Sequence, residues 1–375
     1  MPPAPVSAHA SVTAGALLRR LPRALLMLLT LTGCASDCTA QRAPSQGVRP
    51  TTADINAADL RRRVFVFADD SMQGRRAGTP GHERSLRYLV RELTRLGLTP
   101  AGDSGTFYQR VPLPSAGEAA ASRNVVALLP GTDSTLRAQF VALGAHSDHE
   151  GMLPSRAHGV GLVPMEDVIY NGADDDASGS MALLELAEYF APGSQRPRRS
   201  LLFVWHTGEE LNLDGSQWFV SHPTVPLDSI VVQLNIDMIG RGGARDVEGG
   251  SDDYLALIGS RRQSSEIGAW LGEVNAALAR PLKLDYSLDR PGHPEALFCR
   301  SDHWSYASRG IPVAFFHTGL HRDYHQVTDA PGTLDYPHAA RIVSYIGAIV
   351  QKVANHATRP IVDLPRPAPD AVCRQ

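Results

Sequence analysis

The sequence predicts an α/β fold: a three-layer sandwich in which helices cover both faces of a mixed, centrally parallel β-sheet. Two observations support this prediction. Helix-like and strand-like segments alternate along the chain. Several strand-like segments are also almost continuously apolar, as strands are when a sheet is covered on both faces. The 375 residues, 43% of them hydrophobic, are sufficient to bury a core of this kind.

Short apolar runs bounded by turn residues mark the predicted strands. They are 124–131, 140–145, 201–205, 230–236, 254–259 and 312–316. The clearest predicted helix begins after Thr79, an N-cap residue followed by Pro80, and its apolar residues recur at helical spacing until Gly97. The other predicted helices are 178–190, 266–278 and 340–354.

The charge balance argues against nucleic acid as a partner. The chain has 36 basic and 39 acidic residues and a formal net charge of −3, without the basic excess that nucleic-acid binding requires. We also expect no dinucleotide cofactor.

The N-terminus has the layout of an export signal. Arginines precede the apolar run 24–31, which is too short to span a bilayer, and the run ends in Leu-Thr-Gly followed by Cys34. This ending resembles the lipobox of bacterial lipoproteins, in which the cysteine is lipidated. We therefore predict a lipoprotein signal peptide at 1–33 and a lipid anchor at Cys34 in the cell envelope. Because Ser36 is not aspartate, the outer membrane or a periplasmic face is expected; ordinary secretion is the alternative.

Composition also suggests the domain organisation. Residues 34–58 are polar and read as a flexible tether, and 359–375 form a proline-rich tail. Between them, 59–358 show no low-complexity break and no internal repeat, so one folded domain is predicted.

Three cysteines remain beside Cys34, and their pairing is open. Because three cysteines cannot all pair with one another, at least one of Cys38, Cys299 and Cys373 is free or pairs between chains. Cys38 and Cys373 lie in the two predicted flexible ends and could pair with each other. No Cys-x-x-Cys spacing occurs, so a zinc site built on thiolates is not expected.

Histidines and acids follow three of the predicted strands. They are His146, Asp148 and His149 after 140–145, Glu209 and Glu210 after 201–205, and Asp237 after 230–236. Two more polar clusters occur at 171–179 and 321–325. Ligands bind beyond the carboxyl ends of strands in open α/β sheets, so one shared site is expected. These side chains suit zinc and similar divalent ions, which would neutralise the adjacent glutamates.

From about Arg63 to Ala354 the chain resembles the two-zinc aminopeptidase family, metallopeptidase family twenty-eight, as in bacterial leucyl aminopeptidases. Seven segments in a fixed order carry the resemblance. They are DDSMQGRRAGTPG (69–81), AHSDH (145–149), NGADDDASG (171–179), GEE (208–210), NIDMIG (235–240), SDHWSY (301–306) and YHQVTD (324–329). The resemblance implies a zinc-peptidase fold with 59–358 as the catalytic domain.

It also implies a role for individual residues. His146 and Asp237 would bind one zinc, Glu210 and His325 a second, with Asp175 bridging both. Glu209 would not bind metal but would act as general base on the nucleophilic water. The peptide bond between Asp175 and Asp176 would be cis.

Residues around these ligands are expected to support them. Asp148 is expected to accept a hydrogen bond from the second ring nitrogen of His146. Asp176 and Asp302 are further candidates near the site. No role is assigned to His149.

The implied activity is that of a zinc-dependent exopeptidase, with an aminopeptidase as the leading interpretation and peptides as substrates. A carboxypeptidase of the same fold would need arginines to hold a C-terminal carboxylate, and Arg241, Arg290 and Arg300 are available. A glutaminyl cyclase would keep one zinc, and a non-enzymatic surface protein would have lost ligands or the base. Phe298 replaces a tyrosine that some family members use to hold the oxyanion, a role open to Tyr324 or Tyr306.

Overall fold

A mixed β-sheet forms the centre of the structure, a computed structural model that describes residues 51–152, 167–366 and 373. In these ranges the strands are β1 Thr99–Pro100, β2 Tyr108–Pro112, β3 Ala121–Leu129, β4 Phe140–His146, β5 Gly151–Met152, β6 Ile169–Tyr170, β7 Ser200–His206, β8 Ile230–Ile236, β9 Tyr254–Ile258, β10 Lys283–Asp285 and β11 Val313–His317. The main sheet has the order β1-β3-β7-β4-β8-β11-β9-β10, with β2 also paired to β3, and β5 pairs separately with β6.

Strand directions in the main sheet match the predicted class. The four central strands β7, β4, β8 and β11 run parallel to one another. On the two sides of this parallel centre, β3 pairs antiparallel with β7 and β9 pairs antiparallel with β11. The sheet is therefore mixed and centrally parallel, as the apolar strands indicated.

Helices cover both faces of this sheet. Among the described residues they are α1 Ala57–Phe67, α2 Pro80–Arg95, α3 Gly179–Phe190, α4 Asp214–Ser221, α5 Ser265–Ala276, α6 His303–Ala307 and α7 Tyr336–Asn355. Five of them, α1, α2, α3, α5 and α7, share one buried apolar cluster with Val141 and Leu143 of β4. Ala142 of the same strand packs in a second cluster, with α4 and α6 on the other face. Successive residues of a strand point to opposite faces, which produces the three layers.

Helix α1 corrects one predicted boundary. It begins at Ala57, inside the segment expected to be a flexible tether, and Asn56 caps it by accepting a hydrogen bond from the amide of Asp59. The signal was present in the sequence, because Leu60 and Val64 are spaced for one buried helical face. The run Val-Phe-Val-Phe at the end of this helix resembles a strand and obscures that spacing.

The proline-rich tail is held against the domain at several described points, among them Cys373 and Asp363. Cys373 forms a disulfide with Cys299, so the alternative of pairing with Cys38 is wrong. Asp363 accepts hydrogen bonds from the backbone amide and hydroxyl of Ser265 at 2.9 and 2.6 Å. The described part of the tail therefore packs rather than hangs free.

The predicted signal peptide at 1–33, the anchor residue Cys34 and the tether up to residue 50 lie outside the described residues. Within the described ranges, no helix combines the length and the apolar character needed to cross a bilayer.

Candidate metal centre

The central parallel strands deliver the predicted site residues to one edge of the sheet. His146 ends β4, Asp237 directly follows β8, and the two adjacent glutamates follow the turn after β7. Loops before α3 and after β11 add an aspartate and a histidine. The structure thus brings together the residues expected to hold metal and the expected base, namely His146, Asp175, Glu209, Glu210, Asp237 and His325.

One group of potential ligands consists of His146, Asp175 and Asp237. Nε2 of His146 lies 3.0 Å from Oδ1 of Asp175 and 3.7 Å from Oδ1 of Asp237. All three residues are buried. The hydroxyl of Ser301 donates a 2.8 Å hydrogen bond to the other carboxylate oxygen of Asp237, which orients that side chain.

A second group lies on the other side of Asp175. Nε2 of His325 is 3.0 Å from Oδ2 of Asp175 and 3.1 Å from Oε2 of Glu210. Nδ1 of His149 is 2.8 Å from Oε1 of Glu210 and 3.8 Å from Oδ2 of Asp175. His149 therefore joins this group, although the sequence assigned it no role.

Asp175 is the residue shared by the two groups, with one carboxylate oxygen facing each. The peptide bond between Asp175 and Asp176 is cis, as the resemblance implied. Burial alone would raise the pKa of Asp175, but hydrogen bonds with His146 and His325 lower it well below its usual value. Asp175 thus has both the position and the ionisation of a bridging carboxylate.

The spacing of these donor atoms suits a tetrahedral divalent ion. Donors that lie about 2.0 to 2.2 Å from one such ion are about 3.3 to 3.6 Å from each other in a tetrahedron. The separations given above range from 2.8 to 3.8 Å within the two groups. The donor set, imidazole nitrogens with carboxylate oxygens, is also the one zinc prefers. The residues present therefore fit a pair of metal ions.

The surroundings of the adjacent glutamates, Glu209 and Glu210, shift their pKa values in opposite directions. Burial and the charge of Asp175 would raise the pKa of Glu210, but hydrogen bonds from His149 and His325, together with the charge of His149, outweigh them and lower that pKa to about 2. Burial, together with Glu210 and Asp237, raises the pKa of Glu209 well above its usual value. Glu210 is therefore an ionised carboxylate of the ligand type, whereas Glu209 has the raised proton affinity that a general base needs.

Asp148 supports His146 in a different way from the one expected. Its carboxylate is 3.9 Å from Nδ1 of His146, too far for a hydrogen bond. The backbone carbonyl of Asp148 lies 3.2 Å from that nitrogen and accepts instead. Oδ1 of the carboxylate accepts a 3.3 Å hydrogen bond from the amide of Glu209. Asp148 is thus buried beside both residues, but its side chain positions Glu209.

Asp176 ties three elements of the site together. Its carboxylate accepts hydrogen bonds from the amides of His146 at 3.1 Å, Gly179 at 2.8 Å and Met238 at 3.2 Å. These amides belong to the end of β4, the start of α3 and the loop after β8. Asp176 thus lies beside His146, one of the residues expected to bind metal.

Asp329 is a supporting residue that the sequence analysis did not single out. Its fully buried carboxylate accepts hydrogen bonds from the amide of Asp174 at 2.9 and 3.1 Å and from the amide of Asp175 at 3.1 Å. It thereby holds the loop that presents the shared aspartate. The signal available in the sequence was its place at the end of the YHQVTD segment.

Asp302 is buried, and its Oδ1 has no hydrogen-bond partner among the described residues. Its negative charge contributes to the raised pKa of Glu209, so it lies near the site without a described contact to a ligand residue.

The two tyrosines considered as replacements at the Phe298 position differ in location. The hydroxyl of Tyr306 is buried next to Nε2 of His206, at 3.3 Å. Tyr324 stacks on His325 and lines a cavity together with Glu209 and Asp237. Of the two, only Tyr324 is placed to contact a molecule at the metal centre.

Four apolar side chains form part of this cavity, which opens beside the metal groups. They are Met238, Leu297, Phe315 and Leu320. Arg300 also lines it, and its guanidinium donates to the hydroxyl of Tyr324 and to Glu295. The cavity thus joins the acidic residues of the metal centre to a mixed lining, in which Ser301 and His317 accompany the apolar side chains.

The strand ends of this centrally parallel α/β sheet present two ligand groups around one shared aspartate. This arrangement defines a candidate metal-dependent enzyme. Residues 124–350, more than half of the chain, match the family described as Peptidase family M28, and the chain belongs to that family. The resemblance drawn from the sequence segments is therefore confirmed.

Individual relatives agree with this assignment. The chain is 30% identical over 203 residues to a probable leucine aminopeptidase 2 of Aspergillus oryzae, a match that covers 52% of this chain and 33% of the relative. The chain spans only about a third to two fifths of the length of the first curated relatives it matches, with 38% and 33% covered.

Solved structures show the same fold. A zinc aminopeptidase from Bacillus subtilis, BSAP, matches with a TM-score of 0.60 and 15% identity over 84% of this chain and 99% of that one. A glutaminyl cyclase from Porphyromonas gingivalis matches with a TM-score of 0.62 and 18% identity over 79% of this chain and 98% of that one. The fold alone therefore does not choose between these chemistries.

Proposed function

We propose that this protein is a zinc-dependent exopeptidase, most specifically an aminopeptidase that removes N-terminal residues from peptides using two zinc ions. The observation that carries the proposal is the pair of ligand groups that share Asp175, with Glu209 beside them. This arrangement places a base next to a position where two cations would converge on one water molecule and one carbonyl.

In this proposal each ligand group would hold one ion. His146 and Asp237 would serve one position, and Glu210, His325 and His149 the other, with Asp175 contributing to both. When bound, zinc supplies a Lewis acid that polarises a peptide carbonyl and acidifies a water molecule.

Glu209 moves the proton in the proposed reaction. Its carboxylate takes a proton from the attacking water and returns it to the nitrogen of the departing amine, so that the peptide bond is broken by water. Asp148 keeps Glu209 in place through its hydrogen bond to the Glu209 amide.

Two features favour release of an N-terminal residue over a C-terminal one. The cavity end formed by Glu209 and Asp237 is acidic and suits a positively charged α-amino group. Two of the three arginines considered for binding a carboxylate are already paired: Arg241 pairs with Asp246 at 2.6 Å and with Asp323 at 3.1 Å. Arg300 pairs with Glu295 at 3.2 Å.

The ligand set argues against the remaining alternatives. A glutaminyl cyclase with one zinc would not need a complete second group, yet His325, Glu210 and His149 form one here. A binding protein without activity would have no reason to retain Glu209.

Removing metal tests the proposed activity directly. We expect the purified protein to hydrolyse chromogenic aminoacyl amides, among them a leucyl amide. A chelator should abolish hydrolysis and added zinc should restore it, because zinc supplies the Lewis acid that polarises the peptide carbonyl and acidifies the attacking water. The rate for each amide is the measurement. Hydrolysis that persists in the chelator, or a preference for peptides with a blocked N-terminus, would contradict the proposal.

We also propose that the protein is exported and anchored in the cell envelope by lipid on Cys34. The lipobox-like sequence before that residue supports this. The Cys299–Cys373 disulfide is consistent with a location outside the reducing cytoplasm.

The anchor can be tested by changing Cys34 to alanine. The unchanged protein is expected in the membrane fraction and labelled by radioactive palmitate, whereas the Cys34→Ala variant should carry no label because the acylated thiol is gone. A Cys38→Ala variant is the matched control and should keep its label. Label that remains in Cys34→Ala would rule out the proposed anchor.

A further inference from the structure

A second cavity lies between the N-terminal turn of α2 and the paired strands β2 and β3. Its volume is about 520 Å³, within the range of small-molecule sites. Neither the proposed metal ligands nor Glu209 line it. It is therefore a separate space that the proposed hydrolysis does not use.

This cavity is lined by four arginines and a single carboxylate, that of Glu83. The arginines come from α2, β2 and β3, and are Arg84, Arg87, Arg110 and Arg123. We call it the arginine cavity. Its formal excess of positive charge contrasts with the net charge of −3 for the whole chain.

Glu83 cannot neutralise this charge. Arg123 donates a hydrogen bond to its Oε1, and Arg87 lies 3.4 Å from the same oxygen. Arg84 donates to the backbone carbonyl of Ser71 at 2.6 Å, and neither Arg84 nor Arg110 forms an ion pair with another described residue. Two guanidinium groups therefore face the arginine cavity without a carboxylate partner in the described part of the chain.

The floor of the arginine cavity is held in place by buried hydrogen bonds. His82, which is 1% exposed, has Nδ1 3.0 Å from the hydroxyl of Ser122 and Nε2 2.9 Å from the hydroxyl of Ser147. Thr79 caps the 16-residue helix α2 at the same edge, so the positive end of that helix dipole adds to the field. The cavity is thus preformed and does not depend on flexible side chains alone.

A solvated cluster of charges on a convex surface would need no ligand. Here arginines from three elements converge on one concave space, which is the arrangement that concentrates anions. Guanidinium groups bind phosphate through paired hydrogen bonds, and a phosphate dianion matches the excess charge better than a single carboxylate does.

We propose that the arginine cavity binds a small phosphate-bearing anion, either a soluble phosphorylated metabolite or the phosphate headgroup of a lipid. The two sources share the same chemistry, and the experiment below separates them.

Calorimetric titration of the purified protein with fructose 1,6-bisphosphate tests the soluble source, and sedimentation with vesicles of phosphatidic acid or of phosphatidylcholine tests the lipid source. We expect saturable binding of the bisphosphate, of the phosphatidic acid vesicles, or of both. The double variant Arg84→Ala/Arg110→Ala should bind about tenfold more weakly or worse, because two unpaired cations are lost.

The matched control is Arg91→Ala/Arg137→Ala, which removes the same charge from exposed positions that do not line the cavity. It should bind like the unchanged protein, and circular dichroism melting should confirm that both variants are folded. Absence of binding by the unchanged protein to either probe would overturn the proposal. So would equal binding by both double variants, since the anion would then be held elsewhere, for example at the metal centre. Hydrolysis is not the readout, so this test stands apart from the proposed activity.

Discussion

Replacing Glu209 with glutamine is expected to reduce kcat by about 10³-fold, within the range for loss of a general base. Glutamine keeps the size of the side chain but cannot take a proton from water. Glu209 lies beside the two ligand groups but is not one of the residues that pair with Asp175, so the metal content should be unchanged. Turnover of a leucyl amide and metal analysis of the same preparation are the two measurements.

The control for this variant is Glu118→Gln, which makes the same chemical change in an exposed loop. It should keep full turnover. Near-normal turnover in Glu209→Gln would show that another group takes the proton. Loss of metal in Glu209→Gln would instead make Glu209 a ligand, and the low activity would then say nothing about a base.

The second large effect is expected from Asp175→Asn, which should lose most bound metal and all measurable hydrolysis. Asparagine preserves the shape but removes the charge that both ligand groups share. Each group then keeps fewer anionic donors, and both positions weaken together. Metal per protein, measured by elemental analysis after gel filtration, should fall from about two ions to well below one. The exposed Asp252→Asn variant is the control and should retain its metal.

His149→Gln separates the two positions. Its Nδ1 faces only the group with Glu210 and His325, so the expected loss is confined to one ion per protein. An unchanged metal content in the Asp175→Asn variant would refute the proposed bridging role of Asp175. Full metal and unchanged affinity in His149→Gln would mean that this histidine only donates a hydrogen bond to Glu210.

Much of the fold follows from local patterns in the sequence. The predicted strand 230–236 coincides with β8, and 140–145 falls one residue short of β4. Both are buried along their whole length, so apolar runs were a sufficient signal. The two-residue strand β1 and the five-residue helix α6 were not predicted, because elements this short contain too few residues to display a period.

The site was predictable to the extent that its residues sit at strand ends and in segments resembling a family. His146 and Asp237 needed only the rule that parallel strands present their carboxyl ends at one edge. The contact of Asp329 with Asp174 joins positions 155 residues apart and leaves no periodic trace in the sequence. The disulfide between Cys299 and Cys373 is equally non-local.

The sequence by itself determined the α/β class, the parallel centre and the identity of the residues gathered around the shared aspartate. The class and the parallel centre depend on the order of the apolar runs; the site residues depend on which residues directly follow those runs and, for Asp175 and His325, on segments that resemble a known family. Only the tertiary structure decided that His149 faces Glu210, that the carboxylate of Asp148 supports Glu209 rather than His146, and that arginines from α2, β2 and β3 surround one cavity. The direction of a side chain in a loop depends on how the loop packs, and so does the convergence of distant elements on one cavity. Local sequence patterns contain no information about that packing.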